Sequence, residues 1–227
     1  MQQIITALAQ YDTATLFNAL VLKNGLPNEE YTDHRLRCLL PELGSVVGYA
    51  VTVEVTTNDA DSPGLDWLDY YAYLESQPGP TVAVLKDVDS RPGRGASFGD
   101  GMARLHKRLG VVGVLVDGTI RDLAGIRQVG LPVWAWGTVP GHGVFQATRI
   151  GAPLTLCQLR VRPGDLLVAD GDGCVRIPVA DAADVLRLAG EVRANEQAIF
   201  DSYAAPDFSV ARMRTARTQK GEAARER

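Results

Sequence analysis

Between Thr81 and Trp136, short apolar runs alternate with segments of helical length, and this alternation limits the possible folds more than any other feature of the chain. The runs Thr81-Val-Ala-Val-Leu-Lys86 and Val111-Val-Gly-Val-Leu-Val116 are rich in β-branched residues and too short for buried helices, so they predict buried strands. Residues 102–109 and 122–129 predict helices, and residues 132–136 a further strand. Strand, helix and strand in that order predict an α/β layer with parallel pairing.

The flanks support one domain over residues 1–210, followed by a basic, flexible tail over 211–227. Residues 4–22 carry apolar positions at helical spacing, with a break at Asp12-Thr13. Residues 45–56 are Val-rich and strand-like, and Gly48 among them permits close approach of another backbone. Residues 66–75 predict an aromatic, amphipathic helix, and the Gly/Pro/Arg run 90–95 an irregular loop. Residues 154–161, 165–169 and 174–177 each predict a strand, with turn chemistry at Arg162-Pro-Gly-Asp165 and Asp170-Gly-Asp-Gly173. Residues 180–203 predict a long C-terminal helix.

A net charge of −4 argues against general nucleic-acid binding, which needs a basic footprint. Cys38, Cys157 and Cys174 are odd in number and widely spaced, so they read as reduced thiols rather than a disulfide framework or zinc site. With no apolar run of membrane-span length and no basic, apolar leader at the start, the expected compartment is the cytoplasm.

The chemistry concentrates around Gly99-Asp100-Gly101-Met102 and Arg121-Asp122, with twenty residues (101–120) between Asp100 and Arg121. The predicted helix and strand between them return both ends to one edge of the sheet, where open α/β folds place ligands. Asp100 stands at a helix start, where backbone N–H groups and the positive end of the helix dipole face outward. Two carboxylates beside one guanidinium suit a hard divalent cation, Mg²⁺ or Mn²⁺, together with an anionic substrate. Asp117 reads as a turn aspartate supporting the loop. Asp170-Gly-Asp172-Gly lacks the acidic spacing of a calcium loop and reads as a hairpin turn. His34, His106 and His142 have no metal-ligand spacing, although the Gly-rich loop around His142 can approach the site. Neither a nucleophile motif nor a phosphate-binding glycine fingerprint occurs.

Several of these motifs resemble the family that contains the regulator of ribonuclease activity A and the 4-hydroxy-4-methyl-2-oxoglutarate aldolases. They are Gly99-Asp100, the spacing to Arg121-Asp122, Val116-Asp117-Gly118, Leu131-Pro132-Val133 and Val161-Arg-Pro-Gly-Asp165-Leu-Leu-Val-Ala-Asp170-Gly-Asp-Gly, with Gly48-Tyr-Ala-Val-Thr52 similar to the family's early strand. The resemblance runs from about Ser45 to Pro178. It implies a layered α/β fold of the swivelling phosphohistidine-domain type with flanking N- and C-terminal helices, assembled as a homotrimer or hexamer with sites between subunits. It also implies a class II pyruvate aldolase that uses Mg²⁺ or Mn²⁺, cleaves 4-hydroxy-2-oxo acids and decarboxylates oxaloacetate. By that analogy Asp122 holds the metal and Asp100 positions metal-bound water. Arg121 binds the pyruvate carboxylate and stabilises the enolate, aided by the backbone at Gly99, Gly101 and Met102. A further acid comes from a neighbouring subunit's C-terminal helix, where Glu196 is the first candidate and Glu191 the second.

Two alternatives stand beside this reading. One is a non-catalytic regulator of the same fold that binds an RNA-processing enzyme, and the other a lyase or dehydratase acting on sugar acids. Asn18 stands where many relatives carry an aspartate, Trp134 and Trp136 add bulk to their strand, and Arg91 and Arg94 enrich the loop before the motif. Those arginines suit a second substrate carboxylate or plain solvent exposure. Lys86 and Lys107 lie near the motif in sequence, but neither obviously forms a Schiff base.

Overall fold

The structure is a computed structural model, which describes residues 1–215. The chain divides into two compact units, Met1–Ala189 and Gly190–Arg227.

Two helices open the first unit, α1 (Gln2–Leu8) and α2 (Thr13–Asn24). The break between them falls at Asp12, whose carboxylate accepts the Thr15 amide at 2.7 Å and caps α2. Then follow β1 (Arg37–Cys38), β2 (Val46–Thr56), α3 (Trp67–Glu75), β3 (Thr81–Asp87), α4 (Asp100–Arg108) and β4 (Val111–Asp117). The next elements are β5 (Thr119–Ile120), α5 (Leu123–Val129), β6 (Val133–Ala135), β7 (Gly137–Thr138) and β8 (Gln146–Ile150). Two hairpins close the sequence of strands, β9 (Leu154–Leu156) with β10 (Leu159–Val161) and β11 (Leu166–Asp170) with β12 (Gly173–Ile177).

The main sheet has eight strands in the order β1-β6-β4-β3-β2-β11-β12, with β8 also paired to β2. Its centre, β2-β3-β4-β6, is parallel, as the alternating pattern predicts, and the remaining pairs are antiparallel. Packing on both faces explains the unbroken apolar runs: Val82–Leu85 and Val114–Val116 are all essentially inaccessible. Gly48 is needed where it stands, because a Cβ there would lie 2.9 Å from the Pro80 carbonyl oxygen.

Residues 154–161 form a tight hairpin rather than one strand. The chain reverses at Cys157 and Gln158, both at positive φ (41° and 71°) without a glycine to mark the turn. Strand β8 also escapes the sequence pattern. Its burial is patchy, and a register shift interrupts its pairing with β2 between Glu54 and Val55. The Asp170–Gly173 segment is the predicted hairpin turn, and the Asp170 carboxylate accepts the Thr13 amide and hydroxyl, each at 2.7 Å.

Helix α6 spans Ala182–Ala204, and its turns as far as Ala189 belong to the first unit, with Ala182, Val185 and Ala189 buried. Within the second unit, Tyr203 meets Phe208 edge to face and Arg212 pairs with Asp207. Residues 210–215 are helical, and the rest of the predicted tail, 216–227, lies outside the described residues.

Candidate active site

The candidate residues gather at the C-terminal edge of β3 and β4. Strand β5 continues β4 after Gly118 and ends directly before Arg121. The Arg121 amide donates to the Phe98 carbonyl at 2.9 Å, and Ser97 donates to the Thr119 carbonyl at 2.8 Å. These two bonds lash the segment before α4 to the segment before α5. The sheet edge therefore dictates that both motifs meet.

Asp100 is the first residue of α4, and Gly99 is its N-cap. The helix matches its dipole along its length, with Asp100 in the first turn and Lys107 and Arg108 in the last. The Asp100 side chain packs on α5: a Cβ built on Gly125 would lie 2.7 Å from both its Cβ and Oδ2. Arg104, one turn on, approaches the same carboxylate at 3.6 Å.

Asp122 sits in the left-handed region (φ 59°, ψ 36°) as the N-cap of α5, yet its side chain caps nothing. Aspartate tolerates that conformation better than most residues, but it still costs on the order of 1 kcal/mol. The turn folds the carboxylate back beside Arg121, whose Nε lies 3.2 Å from Oδ2. The same oxygen would be 3.0 Å from a Cβ on Gly99. Gly99 is thus kept small by the pair that faces it, whereas a Cβ on Gly101 would meet nothing within 4 Å.

These groups line one cavity of about 260 Å³, shared by Asp100, Gly101, Met102, Arg121 and Asp122 with Phe98, His142 and Phe145. Arg121 and Asp122 also border a second hollow, lined by Leu123, Thr138, Val139 and Pro140. The polar end of the main cavity holds two carboxylates, one guanidinium and the first turn of α4. Its apolar lining is Ala96, Phe98, Met102 and Phe145. Phe145 has left-handed φ (52°), stacks on Trp67 at 4.8 Å and accepts the Trp67 indole N–H through its carbonyl at 3.2 Å.

Behind the cavity His106 is fully buried. Its Nδ1 lies 2.8 Å from the Met102 carbonyl and its Nε2 2.9 Å from the Tyr70 hydroxyl. Burial pushes its pKa down to about 4, against the smaller upward pull of the Met102 carbonyl, so the ring is neutral at ordinary pH. It braces the first turn of α4 from inside.

The other sequence candidates find structural posts. Asp117 is buried and accepts the Trp136 indole N–H and the Cys157 thiol, both at 3.0 Å, which fits a supporting aspartate. Burial pushes the Cys157 thiol far above its usual range, helped by the adjacent Asp117 charge, which keeps it in the thiol form. Lys107 donates to the Val129 and Gly130 carbonyls at the end of α5 and is occupied there. Arg91 and Arg94 are exposed and outside the cavity lining. Trp134 is buried, and its indole N–H donates to the Asp170 carbonyl at 2.6 Å. Asn18 is exposed on α2. Glu196 and Glu191 lie on α6 in the second unit. Phe98, Phe145 and Trp67 are the site residues that sequence reasoning missed. The order Trp67…Phe145 carries no local signal, because only the pairing of the segment before α3 with β8 brings them together.

Two carboxylates and one arginine thus meet at a strand edge beside the start of a helix. Residues 13–176 match the RraA-like family, described as Aldolase/RraA, and the chain belongs to that family. It is 31% identical over 160 residues to a Halalkalibacterium halodurans protein provisionally named 4-hydroxy-4-methyl-2-oxoglutarate aldolase, covering 70% of this chain and 72% of that one. A shorter match, 33% over 86 residues, links it to the 4-hydroxy-4-methyl-2-oxoglutarate aldolase of Thermus thermophilus, covering 37% of this chain and 52% of the relative. Among solved structures, Streptomyces coelicolor RraAS2, an unusual member of the RNase ES inhibitor RraA family, superposes with a TM-score of 0.71 at 28% identity. That superposition covers 86% of this chain and 95% of the other.

Proposed function

We propose that this protein is a divalent-metal-dependent lyase that cleaves 4-hydroxy-2-oxo acids to pyruvate and decarboxylates oxaloacetate. The observation that supports this most is the single cavity holding Arg121, Asp122, Asp100 and the start of α4. The aldolase names of the relatives agree with it.

The donor set fits a hard cation of the Mg²⁺ type. Among the described residues no group of three or more His, Cys, Asp or Glu forms a closed cage. Mg²⁺ needs none, since it keeps several waters and binds through one or two carboxylates plus substrate oxygens. Asp122 would hold it directly and Asp100 through water, with Glu196 of a neighbouring subunit as the further acid. When bound, the cation supplies Lewis acidity at the 2-oxo group.

The chain's own groups do the remainder. Arg121 pairs with the substrate carboxylate, and its planar fork fixes the direction of the 2-oxo acid. The same positive charge offsets the negative charge that develops as the carbon–carbon bond breaks. The open amides at Gly101 and Met102 face the same end, where the dipole of α4 adds to the effect. Phe98, Met102 and Phe145 supply apolar lining beside these groups. Assembly into a trimer or a dimer of trimers belongs to the same proposal.

The competing reading is a regulator that binds an RNA-processing enzyme, favoured by the likeness to a ribonuclease-inhibitor relative. The two separate in one assay. Purified protein with Mg²⁺ and 4-hydroxy-4-methyl-2-oxoglutarate is expected to release two pyruvates per substrate consumed. Tight binding to a ribonuclease with no turnover of any 2-oxo acid would support the regulator instead.

A further inference from the structure

Resting on the aldolase reading, we infer that His142 is the catalytic base of the cleavage, and that it takes the proton from the 4-hydroxyl group of the substrate. Four contacts place it. The Gly141 carbonyl on one side accepts the Ala96 amide at 2.9 Å, and Ala96 itself lines the cavity. On the other side the Gly143 amide donates to the Thr57 carbonyl at 2.7 Å. A Cβ on Gly143 would lie 2.6 Å from that oxygen, so only glycine permits the approach. The imidazole then leans on Phe145, with ring centres 5.5 Å apart, and its Nδ1 lies 2.9 Å from the Gly143 carbonyl. An exposed loop residue is therefore pinned in backbone and in ring.

That last bond determines which nitrogen is available. A carbonyl can only accept, so Nδ1 carries the hydrogen and Nε2 presents its lone pair. Among the described residues nothing engages Nε2. In the proposed function the cavity's two carboxylates have other work, Asp122 at the cation and Asp100 at its water, and each already stands beside an arginine. His142 is left as the lining side chain that can accept a proton without breaking an ion pair.

The step balances. Nε2 takes the hydroxyl proton, the C4–O bond becomes a carbonyl, and the C3–C4 bond breaks. Its electron pair passes into the enolate of pyruvate, whose charge lies beside Arg121. The imidazolium returns the proton to C3, giving pyruvate and a second carbonyl compound and restoring the neutral ring. Decarboxylation of oxaloacetate has no hydroxyl proton to remove, and so makes no demand on the base.

This difference supplies the test. Wild type and His142→Ala are compared on 4-hydroxy-4-methyl-2-oxoglutarate and on oxaloacetate, with Mg²⁺ present. The ratio of cleavage to decarboxylation kcat is expected to fall about 100-fold in the variant, the usual contribution of a general base. Added imidazole is expected to restore part of the cleavage. An unchanged ratio, or equal loss of both activities, overturns the inference. A ratio that falls but does not respond to imidazole gives His142 a positioning role and also overturns it. Wild type inactive on both substrates defeats the aldolase reading itself, and the inference with it.

Discussion

Gly125→Ala reverses the sign of an ordinary helix substitution, and the reason lies in the candidate site. In an unobstructed helix, replacing glycine by alanine stabilises by roughly 1 kcal/mol. At this position the new Cβ would lie 2.7 Å from the Cβ and Oδ2 of Asp100. The Cβ of Asp100 is anchored to its backbone and cannot swing aside, so α4 and α5 must separate by about 1 Å to reach normal carbon contact at roughly 3.5–4 Å. Overpacking of that kind costs about 1–3 kcal/mol, which outweighs the propensity gain. The expected net effect is a loss of about 1 kcal/mol in urea unfolding. The shift also carries Asp100 and the first amides of α4 away from Arg121, and a displacement near 1 Å costs about 100-fold in rate. Adding Asp100→Gly removes the opposing Cβ and is expected to recover the stability but not the activity. A Gly125→Ala protein that is about 1 kcal/mol more stable than wild type and fully active would refute the packing on which this reasoning rests.

Other expectations follow from individual contacts. Gly99→Ala brings a Cβ to within 3.0 Å of the Asp122 carboxylate and 3.4 Å of Arg121 Cγ. It is expected to lower kcat/KM by ten- to 100-fold with little change in thermal midpoint. Arg121→Lys keeps the charge but loses the planar fork, and is expected to raise KM for oxaloacetate about tenfold or more, read from initial rates. Burial pushes the Asp89 carboxyl up, but hydrogen bonds from the Arg91 and Asn58 amides, the Thr56 hydroxyl and the Thr57 amide prevail and hold it at about 2. Its folded pKa is depressed, so its contribution is present above about 4 and is lost as pH falls towards 2. Asp89→Asn is expected to flatten that part of the urea-midpoint profile. His106 works in the same direction over a higher window. The folded protein keeps it neutral to about pH 4, whereas the unfolded chain protonates it below about 6.5. Unfolding free energy is therefore expected to fall between pH 6.5 and 4.

The parts of this molecule that read well from sequence are those where one local rule dominates. Residues 81–87 and 111–117 are buried on both faces, and their apolar runs say so. Asp12-Thr13 marks the break between the two opening helices, and Asp100 and Arg121-Asp122 stand out through their spacing and the glycines around them. What was hidden depends on contacts distant in sequence. The Cys157-Gln158 turn has no glycine to signal it, so residues 154–161 pass for a single strand. Strands β5 and β7 are two residues each and exist because the strand-end loops pair with one another. Phe145 looks like any loop aromatic until Trp67 and the edge strand β8 place it against the cavity. His142 was visible as a loop residue near the motif. Its placement came from Thr57 and Ala96, which no spacing rule connects to it.

The central claim is that Arg121, Asp122 and Asp100 act as one metal-assisted site for 2-oxo acids. Pyruvate release from oxaloacetate tests it most directly, measured for wild type with Mg²⁺, with EDTA, and for Asp122→Ala with Mg²⁺. Turnover by wild type is expected only with the cation, and Asp122→Ala is expected to lose it by about 100-fold or more while unfolding at the same temperature. Turnover that ignores EDTA, or an Asp122→Ala protein as active as wild type, would contradict the account.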